Sequence, residues 1–242
     1  MEWTPYAMAA PQEITIESLS GHWVLVNTLS SLEDIFQSSH YLQNKDLSSE
    51  TDPILKLQKV PWLLRKAFGF ATIHIQITQY PTPSTTSLST NIDFLQTSTA
   101  SLAPTKEERI LDWKILHHED YFFGQIQGQS EFVRGVTDAD GSIRPEFKIQ
   151  TENATSKIKL FLRGEIEADG SKFAGFIVED CSNPGLGLWV HTFERNVKAE
   201  WTAEQIWGFE MFGGERYFSR RIVVMTKGEY ICGRIVFDFV NL

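Results

Sequence analysis

The chain has 242 residues and a mass of 27.6 kDa, enough to bury a sizeable core as one large domain or two small ones. Apolar residues are 42% and charged residues 22%, the balance of an ordinary globular protein. A net charge of −9 and a pI near 5.2 disfavour non-specific nucleic-acid binding and anionic membrane surfaces, since both need surplus Lys and Arg.

Met1 to Glu13 has no basic region followed by an apolar one, so no secretory signal is read there. Residues 1–13 are expected as a loose N-terminal tail and 14–242 as a single domain. Leu19 to Asn27 is a strand-like run opened by Gly21. A helical insertion is expected over about 31–68. Ser31-Leu32-Glu33-Asp34 suits a helix start, and Asp52-Pro53 places a capping residue before proline. Ile54, Leu55, Leu57, Val60, Leu63, Leu64 and Phe68 fall near helical spacing, with Pro61 breaking the run. Two short helices are predicted, with Trp62, Phe68 and Phe70 packing on whatever lies beneath.

From Ala71 the chain turns to β. Ile73, Ile75 and Ile77 alternate with His74, Gln76 and Thr78, which is period two. Pro81 to Thr86 reads as a turn. Ile92–Thr97, Ile110–Leu116 and Tyr121–Val133 are further strand candidates, and 135–157 reads as a long polar loop. Turn signals recur at Asp140-Gly141, Asp169-Gly170, Gly213-Gly214 and Lys227-Gly228. No apolar run approaches the roughly 18 residues of a membrane span. Many strands joined by short turns predict an all-β fold: an antiparallel up-and-down β-barrel with a short helical lid near the N-terminus.

The last strands can be assigned to faces. If Gly213-Gly214 and Lys227-Gly228 are two-residue turns, Trp207 lies opposite Arg220, and Arg220 opposite Ile235. One face then collects Trp207, Phe209, Phe218, Arg220, Ile222, Ile235, Phe237 and Phe239 and is almost wholly apolar, so burial assigns it to the interior. Glu210, Tyr217, Ser219, Arg221, Val223, Val236 and Asp238 fall on the outward side. Arg220 is the single charge on the inner wall. A buried guanidinium needs a partner: a protein carboxylate, carbonyl groups or a ligand.

Other constellations are weaker. His117-His118-Glu119-Asp120 offers only alternate residues to one side of a strand, so it reads as a polar strand end rather than a metal site. Trp189, His191 and Phe193 share one face of a strand, and His191 is a candidate for proton transfer if that face is the lumen. Cys232 lies outward with no activating neighbour in sequence, and two cysteines, Cys181 and Cys232, are too few for a disulfide framework or a structural zinc site. There is no dinucleotide fingerprint, P-loop, nucleophile elbow or zincin helix. No metal and no cofactor is therefore called for.

Gly21-His22-Trp23 matches the Gly-x-Trp that opens the first strand of the calycins, the superfamily of lipocalins and fatty-acid-binding proteins, and the chain resembles that superfamily over about residues 19–240. The helical part, Leu57 to Lys66, is similar to the helical pair of the fatty-acid-binding branch. Ala203 to Glu210 and Arg220-Arg221-Ile222-Val223-Val224 resemble a group of uncharacterised fungal lipocalin-like proteins. The resemblance implies a calycin-like barrel around a small ligand. One departure matters. The fatty-acid-binding branch holds its ligand's carboxylate with Arg-x-Tyr on the last strand, whereas Gly233 and Ile235 occupy those inward places here. A fatty-acid clamp is not carried over.

Some fungal lipocalin-like proteins act as pericyclases or isomerases in secondary metabolism, so the resemblance implies a cofactor-free cyclase or isomerase acting on an apolar intermediate in a cytoplasmic barrel. Arg220 and His191 are then the catalytic candidates. Trp189, Trp207, Phe209, Phe218, Ile235 and Phe237 would shape the pocket. The alternative is a non-catalytic intracellular carrier of an apolar metabolite. The partner expected under either reading is an apolar small molecule, with neither nucleic acid nor membrane, and the oligomeric state is left open.

Overall fold

Two tight turns build the C-terminal wall. In the computed structural model, which describes residues 6–26, 47–82, 89–99, 103–179 and 185–241, both turns have positive φ at their two central residues. The angles are 59° and 87° at Gly213 and Gly214, and 49° and 85° at Lys227 and Gly228. That twist matches the flanking strands, and glycine adopts it without a steric penalty. The turns join β10 (Trp201–Phe212) to β11 (Glu215–Thr226) and β11 to β12 (Glu229–Asn241). The expected register follows: Trp207 pairs with Arg220, and Arg220 with Ile235.

The meander extends on both sides. β2 (Gly21–Leu25) pairs with β12, and β3 (Ile73–Pro81), β4 (Thr90–Ser98) and β5 (Thr105–Ile110) follow in order. On the other side β10 pairs with β9 (Leu188–Asn196), then β7 (Gly124–Thr137) and β6 (Leu116–Asp120). The result is a ten-strand antiparallel path curled into a half-barrel, as the all-β reading requires. Its end strands, β5 and β6, are not ladder partners. The seam is crossed instead by a bridge from Leu111 to Ser130 and a bond from the Trp113 N–H to the Ser130 carbonyl (2.8 Å). Gly-x-Trp marks the base. A Cβ on Gly21 would lie 2.6 Å from the Phe239 ring, and buried Trp23 packs edge-on against that ring at 5.1 Å.

Several local expectations are corrected. The N-terminal segment is not a free tail from residue 6 onward. β11 leaves β12 after Phe237, and β1 (Tyr6–Met8) takes the vacated edge at residues 239–241, satisfying its backbone groups. The expected strand at 110–116 is a break between β5 and β6. Asp112 accepts from the Lys114 N–H at 3.0 Å and Trp113 sits at φ 59°, so the chain turns there. The stretch 135–157 is not all loop: it contains the end of β7, β8 (Ile143–Pro145), and the start of a helix over Ser156–Leu162 that Thr155 caps. The predicted helix start at 31–34 lies outside the described residues.

Two lid helices are present, α1 (Thr51–Leu57) and α2 (Trp62–Phe70), with Pro61 immediately before the second. Asp52 makes no cap. It reaches Arg65 at 3.3 Å and Lys66 at 3.6 Å, tying the helices together. Ile54 of α1 enters the barrel over Gly233, where a Cβ would meet its Cδ1 at 2.5 Å. Of the lid aromatics only Phe68 packs inward, against Phe122 at 4.7 Å; Trp62 and Phe70 are 62% and 75% exposed.

The largest departure concerns the outward side of β10–β12. Glu210, Tyr217, Ser219, Arg221, Val223, Val236 and Asp238 are all fully buried. A second core covers part of this face, in which Phe147, the helix α3 (Ser156–Leu162) and Phe176 pack on Trp189, Ile206 and Val223. The inner core holds Trp23, Ile75, Phe94, Trp207, Phe209, Phe218 and Phe237.

Candidate functional site

β11 carries Arg220 into the barrel because its neighbours in alternation, Phe218 and Ile222, are both apolar and buried. Its guanidinium carbon lies 4.1 Å from the Trp207 ring centre, 4.7 Å from Phe94, 5.1 Å from Phe237 and 5.5 Å from Phe218. Four aromatic faces thus surround one cation. The cage supplies π-faces and no acceptor oxygen. Nε and Nη2 are buried with no hydrogen-bond partner among the described residues. Burial, with Arg109 nearby, pushes the guanidinium down to about 9 despite Glu107 and Glu194, which leaves it charged at neutral pH.

Arg220 stands between two chambers. A front chamber of about 210 Å³ is bounded by Phe68 of the lid, Phe94, Phe122, Ile235 and Phe237. A rear chamber of about 190 Å³ is more polar, with Gln58, Arg109, His118, Glu194 and Gln205 on its walls. Arg220, Ile235, Glu107 and Asp120 line both. Enclosed apolar space with a few convergent polar groups is the usual form of a small-molecule site.

The charged groups of the rear chamber include Glu107 and Arg109 of β5 and His118 of β6, the two strands that flank the seam, and Glu194 of β9. Arg109 donates to Ser130 Oγ at 3.3 Å and pairs with both Glu107 and Glu194. Its own burial opposes its charge, but the two carboxylates outweigh this and hold its pKa up. Burial pushes Glu194 up in turn, against the pull of Arg109. Asp120 is spent on structure, accepting from the Phe122 and Phe123 N–H groups at 2.7 and 2.9 Å.

Of the sequence candidates, Arg220, Ile235 and Phe237 line the cavity, and Trp207 and Phe218 complete the cage. Phe209 lies in the inner core, its ring tilted against Phe218 at 5.8 Å. Trp189 and His191 are elsewhere. Val190, not Trp189, pairs with Trp207, so period two sends both candidates to the outer face. There His191 lies between Glu131 (3.2 Å) and Glu204 (3.0 Å), stacked on Trp113. Glu204 also accepts from the Gln150 and Thr151 N–H groups, so the cluster pins a surface loop rather than facing the lumen. Burial opposes the imidazolium, but both carboxylates overcome it and raise its pKa. Burial pushes the Cys232 thiol up to about 11, away from the thiolate form.

Glu107, Arg109 and His118 were not candidates from sequence. Thr105 to Ile110 alternates charge with charge, so no apolar signal marks its inward side. His118, paired with Ile126, faces the lumen, and so does Asp120; these are the inward members of the His117–Asp120 run.

No protein-family model matches the chain. Over 233 residues, 96% of this chain and 95% of the other, it is 25% identical to a Mollisia scopiformis protein named "Probable pericyclase scpY". Among the described residues no helix is long and apolar enough to cross a membrane.

Proposed function

We propose that the barrel is a cofactor-independent cyclase of pericyclase type in secondary metabolism, which folds an apolar substrate in the front chamber and polarises one of its carbonyls with Arg220. The observation that carries this reading is the caged guanidinium: a cation whose buried Nε and Nη2 have no hydrogen-bond partner among the described residues, on the wall of a largely apolar cavity. Full-length similarity to a protein named as a pericyclase supports the reaction class. The calycin resemblance supports the same architecture of barrel and lid.

Such a rearrangement conserves every atom and electron of the substrate, so the residues need only orient and polarise. Holding a flexible chain in its reactive conformer supplies several kcal/mol, within the roughly 7–11 kcal/mol seen for well-oriented intramolecular reactions. A donor fixed in a dry cavity adds about 3–4 kcal/mol where charge develops. The aromatic cage keeps water from competing for Arg220.

The test is deletion of the gene in its source organism with untargeted metabolite profiling. A cyclised product should disappear and an uncyclised isomer of equal mass should accumulate. Wild-type complementation should restore the product, while Arg220→Met should restore it about 100-fold more slowly. If the same compounds persist with only altered amounts or location, the enzyme reading fails and a carrier of the same ligand replaces it.

A further inference from the structure

We infer that Glu107 is a second substrate-contacting residue of the lumen, accepting a hydrogen bond from a donor on the substrate, and that Arg109 is the positioning residue that holds it in place. The inference rests on the lumen-binding part of the function proposed above. In β5 the side chains of Thr105, Glu107 and Arg109 share the inward face, since their partners across the ladder are Gln96, Phe94 and Ile92. Lys106, Glu108 and Ile110 face solvent. A carboxylate turned into an apolar barrel is costly unless something binds it. Arg109 binds it in part, but Arg109 also serves Glu194 and Ser130, so one cation is shared between two carboxylates. Acceptor capacity is left over. The two carboxylates differ in access: the Glu107 side chain is 28% exposed and lines both chambers, whereas Glu194 is 13% exposed and lines only the rear one.

The lumen therefore presents a donor and an acceptor on one shared wall. Arg220 offers N–H groups with no acceptor, and Glu107 offers oxygen with too few donors. The matching ligand chemistry is a carbonyl with a neighbouring N–H or O–H: the carbonyl oxygen accepts from Arg220 and the neighbouring hydrogen goes to Glu107. An isolated ketone or ester on the same chain satisfies only half of the pair. Arg109 acts through Glu107, fixing its rotamer by the ion pair, and does not itself need to touch the ligand.

Two nearly isosteric probes separate these roles: 2-undecanone, which has an acceptor only, and decanamide, which replaces its terminal methyl by NH₂. Binding to the full chain is measured by calorimetry, with thermal melts to verify folding. Wild type should prefer decanamide by about tenfold, the order expected of one hydrogen bond to a charged acceptor. Glu107→Met should abolish the preference while leaving 2-undecanone binding within about twofold, and Glu107→Gln should retain part of it. Arg220→Met should weaken both probes alike. Arg109→Met should lower the preference, with partial rescue by Arg109→Lys. If Glu107→Met does not fold, a drop of about threefold in the preference of Glu107→Gln carries the same conclusion. Equal binding of the two probes by wild type, or an unchanged preference in the Glu107 variants, overturns the role of Glu107 and leaves lumen binding standing. Failure of wild type to bind either probe overturns the lumen reading itself, and the role of Glu107 with it.

Discussion

Arg220 and Arg221 are consecutive residues of β11 with opposite surroundings. Arg221 points to the outer face, where its Nε donates to Glu210 at 2.5 Å and its Nη1 donates to the Phe161 and Ile166 carbonyls at 3.2 and 2.7 Å. Glu167 lies 3.7 Å from its remaining nitrogen. Arg220 points inward to four aromatic rings, and its Nε and Nη2 find no hydrogen-bond acceptor among the described residues. The outer face uses a buried cation to fasten the 161–167 segment to the sheet. The inner face keeps one in reserve. A buried charge with its partners in place is structural, and one without them on a cavity wall is a candidate for ligand contact.

The contrast makes a strong prediction for stability. Arg221→Leu leaves buried Glu210 with only Arg234, 3.9 Å away, and should cost about 3 kcal/mol in denaturant unfolding, and adding Glu210→Leu should recover much of it. Gly233→Val tests the plug between lid and barrel. Its side chain collides with Ile54, so a cost of about 1–3 kcal/mol is expected, relieved by Ile54→Ala.

Asp238 stands apart among the outer-face carboxylates, since neither of its buried carboxyl oxygens has a hydrogen-bond partner among the described residues. Burial first, and then Glu215, push it up to about 7. The folded state therefore holds the proton more tightly than the unfolded chain, whose carboxyl titrates near 3.8. Stability from this group is fully present below about pH 4 and is lost as pH rises through 7. Asp238→Asn should match wild type at pH 4 and exceed it at pH 8, by on the order of 1–2 kcal/mol in melts across that range.

Arg220→Met removes the cation that the inner face leaves unpaired. Stability should hold or rise by about 1 kcal/mol, the reverse of Arg221→Leu, while the proposed reaction slows about 100-fold. A destabilised Arg220→Met would mean that Arg220 is structural after all and would collapse the contrast. The smallest effect is expected at His191, whose pKa is raised between two glutamates. Its contribution is complete below the ordinary imidazole value near 6.5 and fades as pH rises through the raised one. Thermal melts between pH 6 and 9 should slope less for His191→Gln than for wild type, by under about 1 kcal/mol.

Much of the inner wall was legible from local rules. Gly-Gly and Lys-Gly turns set a register, register set parity, and parity brought Arg220 beside Trp207 before any contact was known. His191 and Trp189 show the limit of the same rule. Trp189, His191 and Phe193 do share a face, but the β9–β10 turn over residues 197–200 has no Gly-Gly or Lys-Gly signal to set its length, so parity did not pass from Trp207 to β9 and which face was inward stayed open. Glu107 and Arg109 were hidden for another reason: in a strand of alternating charges, nothing in composition distinguishes the side that faces the lumen.

The sequence by itself determined the all-β class, the last two hairpins, the inward place of Arg220 and the missing Arg-x-Tyr on β12, because turn chemistry and period two act between neighbours along the chain. Tertiary structure alone decided that α3 and the 138–179 region cover the outer face, that β1 closes the edge of β12, and that Arg109 ties β5 to β7 and β9 across the seam. Those outcomes depend on which surfaces meet after the sheet has curled. Burial energy is shared among residues far apart in sequence, and no local pattern records its distribution.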